Sequence, residues 1–177
     1  MIKRILIISL VLPAIAAATI TGPELGKAAG RCRVNEQGPA LLVNALGLKD
    51  QKGWLKLEVY PSSDPDFLSD DNVLIDQGKT FRRVEIPVPA GSPPQLCIRL
   101  PSAGAYSVSL MHDRNMNHKF EHGFNEDGIA FGGNPKLRLS PPKAAEARVI
   151  AGSGLTTINI VMNYRRGLLS YGPLKGR

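Results

Sequence analysis

"AYSVSLMHD", residues 105–113, decides the fold. In an extended chain Tyr106, Val108 and Leu110 fall on one side, and Ser107, Ser109 and Met111 on the other. The same period recurs on both sides of this stretch. "PALLVNALGL" supplies a strand over Ala40–Leu46, and "WLKLEVYP" a second, with Leu55, Leu57 and Val59 opposite Lys56 and Glu58. The short polar link "KDQKG" predicts a hairpin between these two. "FRRVEIPV" alternates Val84, Ile86 and Val88 against Arg83 and Glu85, and Pro87 and Pro89 place it at a sheet edge or a strand end. In "LCIRLP", Leu96, Ile98 and Leu100 point inward and Cys97 and Arg99 outward. Two more strands are expected near residues 147–150 and over 156–164. Helical periodicity is scarce after the first residues.

Six or seven short alternating strands predict one antiparallel β-sandwich, immunoglobulin-like or transthyretin-like, with one long ordered loop over 113–142. The 177 residues hold one such domain, and no internal repeat is present. The expected organisation is a signal peptide at 1–18, an N-terminal extension at 19–39, the sandwich at 40–164 and a patternless, frayed tail at 165–177. The leader reading rests on basic Lys3 and Arg4, an apolar run, and Ala16 and Ala18 in an A-x-A cleavage pattern. The apolar run is shorter than the ~20 residues of a membrane helix. A periplasmic or secreted location is therefore expected, with no membrane span after cleavage. In that oxidising setting Cys32 and Cys97 pair as a disulfide, clipping the N-terminal segment to the outside of the sheet. Loss of Lys3 and Arg4 lowers the formal charge from +7 to +5. The basic residues are scattered and form no nucleic-acid motif.

The strongest chemical pattern begins where the best strand ends. "HDRNMNHKFE", residues 112–121, sets side-chain oxygens at Asp113, Asn115, Asn117 and Glu121. A D-x-N-x-N opening is how calcium loops begin, because alternate residues of a tight loop turn their oxygens inward. Two positions depart from such a loop. His118 stands where glycine makes the sharp turn, and Phe124 where a bidentate glutamate closes the site, with Glu126 beyond it. Calcium is the candidate ion, with weak affinity in the ~10⁻⁴–10⁻³ M range. The reading favoured over an ion site is a polar turn whose Asp and Asn side chains satisfy their own backbone. His112, His118 and His122 raise a third option, zinc or copper, without an HExxH motif or a second Cys/His cluster. Nucleophilic catalysis has little support: Ser107 and Ser109 fall on the face opposite His112, and no G-x-S-x-G elbow exists.

Residues 104–134 resemble the DUF2141 family, exported bacterial proteins of unknown function. The matching positions are Tyr106, His112, Asp113, Asn115, Asn117, Glu126, Gly128, Phe131 and Asn134. Three positions depart from the family pattern: His118 stands for a glycine, Glu121 for an aspartate and Asn125 for a proline. The resemblance implies a small exported β-sandwich without catalytic residues. His112, Glu126, Gly128, Phe131 and Asn134 then read as loop-organising. The expected function is a module binding an envelope partner or ligand. The alternatives are a structural envelope protein, or a metal-assisted hydrolase using His112, Asp113 and Glu121 with Asp70 and Asp71 from the acidic loop 63–72.

Overall fold

The computed structural model describes residues 24–90, 93–121, 127–138, 140–168 and 170–174. In chain order its elements are α1 (Lys27–Gly30), β1 (Ala40–Leu46), β2 (Trp54–Pro61), α2 (Asp71–Asp76), β3 (Arg82–Pro87), β4 (Gln95–Arg99), β5 (Gly104–Asp113), β6 (Gly128–Phe131), β7 (Arg148–Ala151), β8 (Leu155–Val161), β9 (Tyr164–Gly167) and β10 (Ser170–Gly172). The expected leader, residues 1–18, lies outside the described residues.

Two sheets face each other. One has the order β4-β1-β8; the other has β3-β2-β5-β6, with β7 on the first half of β5. The alternating apolar residues meet between them: Leu41 and Val43 of β1, Leu55 and Leu57 of β2, Leu96 and Ile98 of β4, and Val108 and Leu110 of β5. An all-β sandwich is thus what the alternation produces. Pro87 sits on edge strand β3, where a missing N–H costs no ladder bond.

The connectivity corrects the sequence reading in four respects. β1 and β2 are not a hairpin. β1 pairs with β4 and β8, β2 with β3 and β5, so the polar link crosses between sheets. β1 and β8 run parallel, so the sandwich is not purely antiparallel. The long loop contains β6, which pairs with the end of β5. The tail forms the β9–β10 hairpin rather than fraying.

The outside of the five-stranded sheet is also covered. Tyr60, Phe67, Leu74, Phe81 and Phe131 join Leu25, Ala144 and Ala147 in a second apolar cluster there. Its rings meet edge to face, with Tyr60 5.3 Å from Phe81 and 5.6 Å from Phe67, and Phe67 5.9 Å from Phe131. This covering explains why β5 is buried on both faces over most of its length.

Cys32 and Cys97 are bonded, with Cα atoms 5.9 Å apart. The bond holds the N-terminal segment along β4, beside the Arg31–Ile98 bridge. Closing 65 residues of chain contributes about 4 kcal/mol in the chain-entropy description. The 19–39 extension is therefore, in its described part, fastened to the sandwich, with Leu25 in the outer cluster.

Candidate functional site

Asp113 ends β5 and turns its carboxylate into the loop. Its Oδ1 accepts from the backbone N–H groups of Met116 at 2.8 Å and Asn117 at 3.3 Å, and its Oδ2 from that of His118 at 2.8 Å. One buried carboxylate thus gathers three amides and winds the chain into a tight turn. Met116 and His118 adopt left-handed φ values of 63° and 62° to complete it. His118 therefore performs the backbone turn at the position where a calcium loop carries glycine.

The other oxygens belong to the same turn. Asn115 Oδ1 accepts from Asn117 N–H at 3.1 Å, and Asn117 Oδ1 from Lys119 N–H at 2.9 Å. Their amide nitrogens donate to the two oxygens of Glu121, at 2.6 and 3.0 Å. Asp127 closes the far side, accepting from Arg114 N–H at 2.9 Å and Glu121 N–H at 3.1 Å. Burial raises the pKa of Asp127, and the nearby Asp113 and Glu121 add to the rise. Arg114 anchors the turn from outside through Asp50, at 2.5 Å. The structure thus gathers Asp113, Asn115, Asn117 and Glu121 into one turn, bonded to its own donors.

His112 is separated from these groups by the alternation of the strand. Its side chain is fully buried and faces the other way, where Nδ1 lies 2.7 Å from Tyr164 Oη and Nε2 2.7 Å from the Lys52 carbonyl. A carbonyl only accepts, so Nε2 carries the proton and Nδ1 accepts from the tyrosine. Burial lowers the His112 pKa, holding the ring neutral. Gly128 completes this contact: a Cβ there would lie 2.5 Å from the Tyr164 ring.

Asn134 has a different task. Its side-chain amide donates to the Asn159 carbonyl at 2.9 Å and accepts from Val161 N–H at 2.8 Å. It imitates a neighbouring strand and ties the end of β6 to the edge of β8. Phe131 belongs to the outer aromatic cluster. Glu126 and His122 lie outside the described residues. His118 Nδ1 meets Glu85 Oε1 at 2.7 Å, and these two with Asp113 bring one ligand atom each within 4.8 Å of one another. Asp113 is engaged by amides, and Glu85 Oε2 lies 3.0 Å from Lys27 Nζ. Burial pushes the Glu85 carboxyl up, but Lys27 and His118 together hold it below its usual range. Asp71 of the acidic loop opens α2 and pairs with Arg83 at 3.0 Å. Ser107 Oγ donates to the Ala144 carbonyl at 2.8 Å.

A feature that the sequence reading did not single out lies on the outer face of the five-stranded sheet. Between β2, β5, β6, residues 137–138 and 140–142, and β10 is a cavity of about 380 Å³. Leu68, Met111, Phe120, Ile129, Phe131 and Leu137 form its apolar walls. Phe120 from the loop and Tyr171 from β10 approach with ring centroids 6.3 Å apart. The floor is polar: Lys56, Glu58 and Ser109. Glu58 is 8% exposed, and both its oxygens are taken. Oε1 receives Arg83 Nε at 2.8 Å and Nη2 at 2.7 Å, and Oε2 receives the Tyr60 hydroxyl at 2.8 Å. Burial, then the neighbouring Glu58 carboxylate, raises the Tyr60 pKa well above its usual value. Burial lowers the Arg83 pKa, but Glu58 and Asp71 outweigh it and raise the guanidinium's pKa. The available signal was the outer face of β5, whose Ser107, Ser109 and Met111 carry no charge, beside a charged β2 face. Such a face is partly covered rather than solvated.

A family model described as "Uncharacterized protein conserved in bacteria (DUF2141)" matches residues 43–159. No curated protein matches, and no solved structure matches.

Proposed function

The chain belongs to the uncharacterised bacterial family DUF2141, and from that premise we propose that it is an exported binding module whose ligand seat is the outer-face cavity. One observation carries the reading: apolar walls enclosing about 380 Å³ converge on a buried, ion-paired floor. Ligand sites are typically clefts of this kind, largely apolar with a few fixed polar groups. The floor is held by Arg83, Tyr60 and Asp71, so its geometry exists before a ligand arrives. The Cys32–Cys97 bond supports an oxidising compartment, periplasmic or extracellular. Binding rather than catalysis is supported by the engagement of His112, Asp113 and Ser107 in fixed contacts within the fold.

For the turn at 113–121 we propose a structural role: it fixes Phe120 at the cavity wall. The calcium reading has one observation in its favour, the gathering of four oxygen-bearing side chains in a single turn. Against it, their oxygens already serve amide donors.

Binding of the neutral fluorophore N-phenyl-1-naphthylamine tests the seat. The native protein is expected to bind it with enhanced fluorescence. Ile129→Trp and, from a separate lining segment, Leu137→Trp are expected to weaken binding about tenfold, equivalent to ~1.4 kcal/mol. Unchanged binding in both variants, each with a native melting transition, would move the ligand seat elsewhere.

A further inference from the structure

The charges around this cavity point to the class of its occupant. The one carboxylate on its floor, Glu58, is saturated by Arg83, Tyr60 and the more distant Ser109, at 3.5 Å. Both its oxygens are already engaged by these donors. The two cations that line the cavity differ from it. Lys56 Nζ donates to the His118 carbonyl at 3.3 Å and stands 3.8 Å from Glu58. An ammonium has three donors, so at least one stays unused. Arg138 also lines the cavity and is exposed, and its guanidinium offers five donors in a planar fork suited to an oxyacid. Among the described side chains, the spare charged capacity at the cavity is therefore cationic and donating, while its walls are apolar.

We infer that the occupant is an anionic amphiphile: an apolar body seated against Met111, Ile129, Phe131 and Leu137, with a carboxylate or phosphate head held by Lys56 and Arg138. The inference rests on the cavity being the ligand seat. The apolar body replaces water along the walls. The head completes two cations whose own partners leave donors over, and charge-assisted bonds of this kind are the stronger ones. A cationic head would meet like charge with no free carboxylate to balance it.

Displacement of N-phenyl-1-naphthylamine by four monomeric twelve-carbon probes tests this: dodecanoate, dodecyl phosphate, dodecanol and dodecylammonium. Both anions are expected to displace the fluorophore at about tenfold lower concentration than dodecanol, with the ammonium weakest. Arg138→Ala is expected to shrink the anion advantage at least about threefold and leave dodecanol unchanged, and Arg138→Lys to retain most of it. The better of the two anions identifies the head group. Equal displacement by dodecanol and dodecanoate, or strongest displacement by the ammonium, overturns the anionic assignment while the cavity reading stands. Failure of all four probes, with no fluorophore bound by the native protein, overturns both.

Discussion

Arg83→Met is expected to lower the unfolding free energy by about 3–4 kcal/mol. Arg83 is 8% exposed and joins three elements through one guanidinium. It bonds Glu58 on β2 at 2.7 Å and Asp71 on α2 at 3.0 Å, and its Cζ lies 5.0 Å from the Phe81 ring centroid. Methionine keeps much of the stem's packing and removes the charge. Glu58 then retains the Tyr60 and Ser109 hydroxyls and the Lys56 ammonium at 3.8 Å but loses its closest cation, and a buried carboxylate left with so little compensation is costly. Urea unfolding measures the loss. The double variant Arg83→Met with Glu58→Leu is expected to recover part of it, because the stranded charge goes too. A loss under about 1 kcal/mol for the single variant would show that water reaches Glu58 and that the floor is not a closed network.

Asp113→Ala is expected to cost about 3 kcal/mol or more by the same measurement. Three amides, those of Met116, Asn117 and His118, lose their common acceptor, and the carboxylate they share is fully buried. Asp113→Asn keeps one acceptor oxygen and is expected to cost roughly half as much. The turn that carries Phe120 loosens in both variants, so fluorophore binding weakens along with stability. Melts of the native protein in calcium or chelator decide the ion. The structural role predicts equal midpoints. A midpoint raised by calcium in the native protein, and not in Asp113→Ala, would assign calcium to the turn, since an ion held only by the folded state must stabilise it.

Much of the scaffold was legible because period two is a local property. Ala40–Leu46 and Trp54–Pro61 begin and end where alternation and turn residues place them. Pro87 marked an edge strand, and Cys32 and Cys97 marked a clip. Strand partners were not legible, because alternation says which face is buried and not which strand lies alongside. β1 finds β8 about 115 residues later and in parallel, as at Asn44 and Asn159. Gly128–Phe131 is too short to show a period, and its partner is fixed by the return of the chain beside β5. The tail read as frayed because residues 165–177 carry no periodic pattern, although Tyr164 just before them is buried against His112.

At the site, Asp113 was readable as a turn-maker, since aspartate followed by asparagines competes for backbone amides in any context. The cavity was not readable. Its walls come from six separate segments, among them Leu68, Phe120, Leu137 and Tyr171, each unremarkable in its own stretch. Its floor is built from Glu58 and Arg83, which sit directly opposite each other on neighbouring strands and look like a surface charge pair until the aromatic cluster covers them.

The central claim, that the outer-face cavity is the ligand seat, is tested most directly by methyl NMR of the native protein during titration with N-phenyl-1-naphthylamine. Saturable shifts are expected at the methyls of Met111, Ile129 and Leu137, with those of Leu55 and Leu57 between the sheets unmoved. Saturable shifts confined to methyls away from this cavity, such as those of Leu25 and Ile75 beside α1, would contradict it.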